Sequence, residues 1–136
     1  MKQLSNVPDR IEFTPIGILH SPYRTLDEAP RWGTLSDEEA VVEVFEEYAD
    51  GLDGIERYTH LDLLLYFHQA SRSILKVKPP HSEGLRGVFA ARSPHRPNPI
   101  GLTTVRLVKR EGRFLTVTNV DAIDGTPVLD IKPHKD

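Results

Sequence analysis

The sequence predicts a mainly β fold of short antiparallel strands, closed into a β-barrel or packed as a β-sandwich. Three observations carry this. Nine glycines and eleven prolines are spread along 136 residues and cut the chain into short segments. Within those segments apolar and polar residues alternate, the two-residue period of a strand with one buried face. Helical periodicity is almost absent, and about seven short strands with turn signals between them suit either architecture.

The elements follow in order. Residues 11–19 are largely apolar and stop at His20, Ser21 and Pro22. Residues 40–46 read Ala-Val-Val-Glu-Val-Phe-Glu, a second strand. Residues 61–69 set Leu61, Leu63, Leu65 and Phe67 on one face, with Asp62, Leu64, Tyr66 and His68 on the other. Residues 74–78, 87–92, 102–108 and 114–120 complete the set, and the turn over 110–113 joins the last two as a hairpin. Only residues 48–59 suggest helix: Asp53 and Glu56 are spaced as a capping pair, while Gly51 and Gly54 keep it short. There is no internal repeat. One domain over 1–136 is expected, residues 1–10 forming a flexible N-terminal segment.

Composition excludes several classes. With no cysteine there is no disulfide scaffold, thiolate nucleophile or Cys-based metal site. No run reaches the ~18 apolar residues of a membrane span, and Met1 to Asn6 lacks a signal peptide's apolar stretch. A cytoplasmic protein with no membrane association is expected. The net charge of −3 hides a segregation. Residues 27–62 hold twelve acids against two bases, a balance of −10, and residues 72–113 hold ten bases against two acids, a balance of +8. Such halves serve an anionic partner, mutual attraction in a dimer, or no more than solvation.

The common catalytic signatures are missing. There is no Gly-x-Ser-x-Gly, no Gly-x-Gly-x-x-Gly and no Walker loop. Six histidines raise the question of metal. His60, Asp62 and His68 share a face of one predicted strand, but at ~3.3 Å per residue the two histidines lie too far apart for one ion. No His-Glu-x-x-His exists, so no metal is expected. The segment Arg92-Ser-Pro-His-Arg-Pro-Asn-Pro-Ile-Gly101 stands apart, with three prolines in the six residues 94–99. Missing backbone donors and fixed φ hold it extended between two predicted strands. It presents Arg92, His95, Arg96 and Asn98 at low ordering cost, as a preorganised site would. A stiff connection with solvated arginines satisfies the same residues.

Two long motifs carry a family resemblance. Gly87-Val-Phe-Ala-Ala-Arg-Ser-Pro-His-Arg-Pro-Asn-Pro-Ile-Gly101 and Val120-Asp-Ala-Ile-Asp-Gly-Thr-Pro-Val-Leu-Asp-Ile-Lys-Pro133 resemble the TsaA-like family. Pro15-Ile-Gly-Ile-Leu-His-Ser-Pro-Tyr23, Ala29-Pro-Arg31, Gly51-Leu-Asp-Gly-Ile-Glu56 and Phe67-His-Gln69 fit in the same order, so the likeness runs from Ile11 to Pro133. Its characterised members are TrmO-type tRNA methyltransferases that use S-adenosylmethionine. The resemblance implies a single β-barrel with short helical turns, a homodimer, and a cofactor pocket built from these motifs. In this sequence the implied cofactor residues are Trp32, Gly33, Thr34, His68, Gln69, Arg92, Leu102, Val120, Asp121, Ala122 and Ile123. His134 stands where the family commonly has tyrosine, and some bacterial members carry a further C-terminal segment.

Each of these residues also has a plainer use. Asp121 suits a ribose hydroxyl or adenine amine, or a cap on the turn at Asp124 and Gly125. His68 reads from pattern alone as a core histidine, and Leu102 and Ile123 as ordinary packing. Trp32, the single tryptophan, suits a lid or a base-stacking surface, or a loop anchor. Arg31, Arg96 and Asn98 are the substrate-side candidates; the catalytic base is unassigned among Asp121, His68 and His95. The family implies transfer to N6 of N6-threonylcarbamoyladenosine beside the tRNA anticodon. The alternatives are a methyltransferase of a small molecule or protein, and a non-catalytic S-adenosylmethionine-binding regulatory module.

Overall fold

The computed structural model describes residues 7–25, 27–29, 37–79 and 83–135. The strands are β1 (Gly17–His20), β2 (Ala40–Val44), β3 (His60–Tyr66), β4 (Lys76–Val77), β5 (Arg86–Gly87), β6 (Ile100–Glu111), β7 (Phe114–Thr118) and β8 (Thr126–Pro133). Six of them close into an antiparallel barrel in the order β1-β2-β7-β6-β3-β8, with β1 also paired to β8. A β-sandwich is therefore excluded. Strands β4 and β5 form a separate two-stranded ladder beside the barrel. No described helix is long and apolar enough to cross a membrane.

Alternation builds the interior. Along β3, Leu61, Leu63 and Leu65 are fully buried while the residues between them are half-buried. They meet Leu19, Val42, Val105, Leu115, Val117 and Val128 from the other strands, and side chains fill the barrel. Each such burial contributes about 1.5–3 kcal/mol. Strand β6 runs twelve residues and serves two partners, β3 at its start and β7 at its end. A register shift between Leu107 and Lys109 bends it from one to the other. The expected hairpin joins β6 to β7 through Gly112, whose φ of 62° fits a tight two-residue turn, and Arg113.

Several boundaries move. The first strand begins only at Gly17; Ile11 and Phe13 pair with no strand among the described residues and stay exposed. The strand expected over 87–92 reduces to β5 followed by a 3-10 turn at Val88–Ala90, and that over 74–78 to β4. The third ends at Tyr66, so His68 and Gln69 lie in a turn. The expected helix is two 3-10 stretches, Glu46–Leu52 and Ile55–Arg57, broken at Gly54 with φ 90°. Asp53 and Glu56 form no capping pair; Glu56 instead accepts from Arg110 at 3.1 Å. Strand β8 did not stand out in the pattern, because Pro127, Asp130, Lys132 and Pro133 interrupt its alternation. Of the N-terminal segment expected to be flexible, residues 1–6 lie outside the described residues.

The charge segregation is partly answered within the chain. Arg113 Nη1 donates to Glu43 Oε2 at 2.9 Å, and His20 Nε2 lies 2.9 Å from Glu43 Oε1. Arg110 Nη1 reaches both Glu56 and the Leu52 carbonyl at 3.1 Å. Two basic residues of the hairpin thus pair with one acid of β2 and one of the Ile55–Arg57 turn.

Candidate functional site

The proline-rich loop between β5 and β6 is held at its carbonyls. Arg96 Nη1 donates to Ala91 O at 3.1 Å and Ser93 O at 2.8 Å, and Arg92 Nη2 donates to Leu102 O at 3.1 Å. From the facing segment, Arg72 Nε donates to Pro97 O at 2.8 Å and its Nη2 to Asn98 Oδ1 at 3.2 Å. The Ser71 N–H donates to His95 Nδ1 at 2.9 Å, and the Ser71 carbonyl accepts from Arg96 N at 3.1 Å. Prolines supply no donors, so the loop is fixed by donors brought to it.

The turn after β3 is tied to the same loop. Phe67 N donates to Pro99 O at 2.8 Å, and Ala70 N closes back on Phe67 O at 3.0 Å, presenting His68 and Gln69. Gly101 is required where it stands: a Cβ there would fall on the Phe67 ring. Across the barrel rim, the 119–125 segment is pinned by the His20-Ser21 corner. Ser21 Oγ donates to Ala122 O at 2.8 Å, Ser21 N to Asp124 Oδ1 at 3.0 Å, and Thr126 Oγ1 to Ile123 O at 2.7 Å. The turn at Asp124 and Gly125 is thus held by Asp124, Thr126 and Ser21.

These segments border an open cavity of about 1490 Å³. Seven of the residues expected at a cofactor line it: His68, Gln69, Arg92, Leu102, Asp121, Ala122 and Ile123. Arg96, expected at the substrate, lines it too. His68 is therefore a cavity residue in a turn and no part of the core. Val120 is fully buried in the core and lies behind the lining, and Asn98 is engaged by Arg72 away from it. Arg31, Trp32, Gly33 and Thr34 lie outside the described residues.

The cavity's chemistry is mixed. Phe67, Leu102 and Ile123 supply apolar wall; Lys76, Lys78, Arg92 and Arg96 supply fixed positive charge against the one acid Asp121 among its described lining residues. Apolar faces suit a purine, a carboxylate suits hydroxyl or amine donors, and guanidinium groups suit a carboxylate. Asp62, considered above beside two histidines, accepts from Thr104 Oγ1 at 2.7 Å and lies 2.9 Å from His134 Nδ1. Among the described residues no three His, Asp or Glu side chains converge as metal ligands would.

Residues 18–136 match the family described as the tRNA-methyltransferase O N-terminal domain. The chain belongs to this family. A solved structure titled as TrmO from Pseudomonas aeruginosa superposes with a TM-score of 0.79 at 35% identity, over 96% of this chain and 57% of that one. A "probable S-adenosyl-L-methionine-binding protein" of Archaeoglobus fulgidus is 48% identical across 124 residues, 91% of this chain but 34% of that protein. A "tRNA (adenine(37)-N6)-methyltransferase" of Mus musculus is 41% identical across 128 residues, 88% of this chain and 30% of that protein. The chain thus spans about a third of these two relatives.

Within this family fold, sequence reasoning missed the braces and part of the lining. Ser71 and Arg72 act on backbone carbonyls and on a ring nitrogen, which no side-chain pattern reports. Ile74, Lys76, Lys78, Phe89 and Ile100 line the cavity from the β4–β5 ladder and the start of β6. In the sequence Ile74, Lys76, Lys78 and Phe89 counted only toward expected strands, the two lysines also toward the basic half; the structure leaves Phe89 79% exposed beside the cavity. A smaller hollow of about 630 Å³, between the 46–58 turns and β8, takes none of the expected site residues.

Proposed function

We propose that the protein is an S-adenosylmethionine-dependent tRNA methyltransferase of the cytoplasm, whose acceptor is N6 of N6-threonylcarbamoyladenosine beside the anticodon. The observation that carries this is convergence. Residues drawn from the 67–70 turn, the proline loop, β6 and the 120–125 segment meet on one cavity. Ligand sites commonly measure about 300–1,000 Å³, so a cavity of about 1490 Å³ has room for a cofactor and a nucleoside together.

The donor set fits the cofactor. Leu102 and Ile123 would wall its adenine, Asp121 would take a hydroxyl or amine, and Arg92 would hold the amino-acid carboxylate. When bound, S-adenosylmethionine supplies a methyl group activated by a positive sulfur. The protein's part is chiefly orientation, bringing the acceptor nitrogen in line with that methyl and excluding water. The acceptor nitrogen would have to lose its proton, and Asp121, His68 and His95 are the cavity residues that could receive it. The threonyl carboxylate offers Arg96, Lys76 and Lys78 a group that plain adenosine lacks, and the same charges attract phosphate.

A homodimer completes the proposal. Ile74, Phe89, Ile100 and Leu102 line the cavity yet are between 36% and 79% exposed, an apolar rim that a second copy would cover. Sedimentation at micromolar concentration should give a dimer, and a monomer would remove this part.

The decisive assay incubates the protein and cofactor with tRNA bearing or lacking the threonylcarbamoyl group, followed by digestion and nucleoside mass spectrometry. Methylation of the modified tRNA alone is expected. Methylation of both alike would remove recognition of the modification. Methylation of neither, with cofactor still bound, would favour a small-molecule or protein acceptor or a regulatory module.

A further inference from the structure

The ring of His95 is committed at one nitrogen. The backbone N–H of Ser71 donates to Nδ1 at 2.9 Å, and an N–H aimed at that nitrogen needs a lone pair there. A doubly protonated ring would set two N–H groups against each other. The hydrogen bond therefore selects the neutral tautomer that carries its proton on Nε2. The backbone that carries the ring is held as well: His95 N donates to Ser93 Oγ at 3.1 Å, and Arg96 N donates to Ser71 O at 3.1 Å. His95 lines the cavity, and no described residue hydrogen-bonds Nε2. A fixed, neutral N–H donor thus belongs to a lining that also includes Arg92 and Arg96.

We propose that His95 is a specificity-determining donor, its Nε2–H bonding a carboxylate oxygen of the bound ligand, and that it is not the base that receives the acceptor's proton. The proposal rests on the functional reading above. A base needs a free lone pair, and the ring's lone pair is already taken by Ser71. Of the three candidate bases, this removes one and leaves His68 and Asp121. An N–H donor in a cavity whose lining also includes Arg92 and Arg96 suits a carboxylate, whose oxygens accept several bonds. Two sources offer one: the amino-acid end of the cofactor and the threonyl end of the modified nucleoside.

The test uses the full chain labelled with nitrogen-15 at histidine. Long-range proton–nitrogen correlation should show His95 protonated at Nε2 alone. S-adenosylhomocysteine and N6-threonylcarbamoyladenosine are then titrated separately, and the Nε2–H resonance should move with the ligand whose carboxylate it meets. In His95→Asn the side-chain oxygen still accepts from Ser71, so the thermal midpoint should hold. Affinity for that ligand should fall about ten- to a hundredfold, while affinity for its methyl ester stays as in the parent protein. A proton on Nδ1 overturns the proposal, as does an Nε2 signal that neither bound ligand moves. A failure of both ligands to bind overturns the functional reading instead, and the donor role falls with it while the tautomer is still read.

Discussion

The barrel wall and the cavity rim are stabilised in opposite ways. In the wall, β3 buries every second residue against five other strands, and the hydrogen bonds are those of the ladder. In the rim, the 92–101 loop is mostly half-buried; Arg72 and Arg96 meet its carbonyls at Pro97 and Ser93, and Arg92 and Arg96 bond those of Leu102 and Ala91 just beyond its ends. Wall stability is therefore apolar area, spread over many residues. Rim geometry depends on a few directed bonds, each replaceable without collapse of the core. Stability and ligand binding should therefore separate under mutation.

The largest effect should come from the wall. Leu63 is fully buried among Leu61, Leu65 and the facing strands, and Leu63→Ala should destabilise by ~2–5 kcal/mol. Thermal or urea unfolding reads this directly. Folded variant below its midpoint should bind S-adenosylhomocysteine nearly as the parent does; a parallel loss of affinity would mean that wall and rim are one cooperative unit.

Next comes Arg92→Ala, which should weaken cofactor affinity by ~1–3 kcal/mol if its guanidinium makes a charge-assisted bond, with little change in unfolding midpoint. Calorimetry with and without a chelator checks both the loss and the expected independence from metal. Unchanged affinity would assign Arg92 to the Leu102 carbonyl alone.

A smaller effect is expected at Arg72, which touches the loop but does not line the cavity. Arg72→Ala should raise amide exchange across 93–98 and weaken ligand binding by about 1 kcal/mol, through freedom restored to the loop. If exchange rises and affinity does not change, the prolines alone suffice to preorganise the site.

The same contrast explains what the sequence made legible. Strand β3 and the β6–β7 hairpin follow from period-two alternation and one glycine turn, signals the wall writes in side chains, whereas closure into a barrel rather than a sandwich was legible only through the family resemblance. Strand β8 obeys the same pairing but hides it, since Pro127 and Pro133 sit near its ends and Asp130 and Lys132 face outward between them. The rim was legible through family motifs, as His68, Arg92 and Ile123 illustrate by meeting on one cavity from distant positions. Ser71 and Arg72 stayed invisible because Ser71 acts through its backbone N–H and Arg72 on a backbone carbonyl and the distant Asn98 side chain.

The smallest expected effect concerns the hairpin side of the barrel and its response to acid. Hydrogen bonds from the Arg113 guanidinium, and secondarily from His20, hold the Glu43 carboxyl below the usual glutamate range. A carboxyl with a lowered folded value contributes stability that is complete above its unfolded value and is lost as pH falls through the folded one. Glu43 should therefore support the fold at neutral pH and stop doing so in acid, below the ordinary carboxylate range. Glu56 has the same sign, lowered by a bond to its own backbone N–H and then by Arg110. Unfolding midpoints measured from neutral to acid pH should fall less steeply in Glu43→Gln than in the parent, the two curves converging at low pH. The pair is partly exposed, so added salt should narrow the gap between them at neutral pH. Cofactor affinity should be the same in both proteins, since neither Glu43 nor Arg113 lines the cavity. A variant that lost affinity with its acid sensitivity would tie Glu43 to the rim through His20 and the Ser21 corner that holds the 119–125 segment.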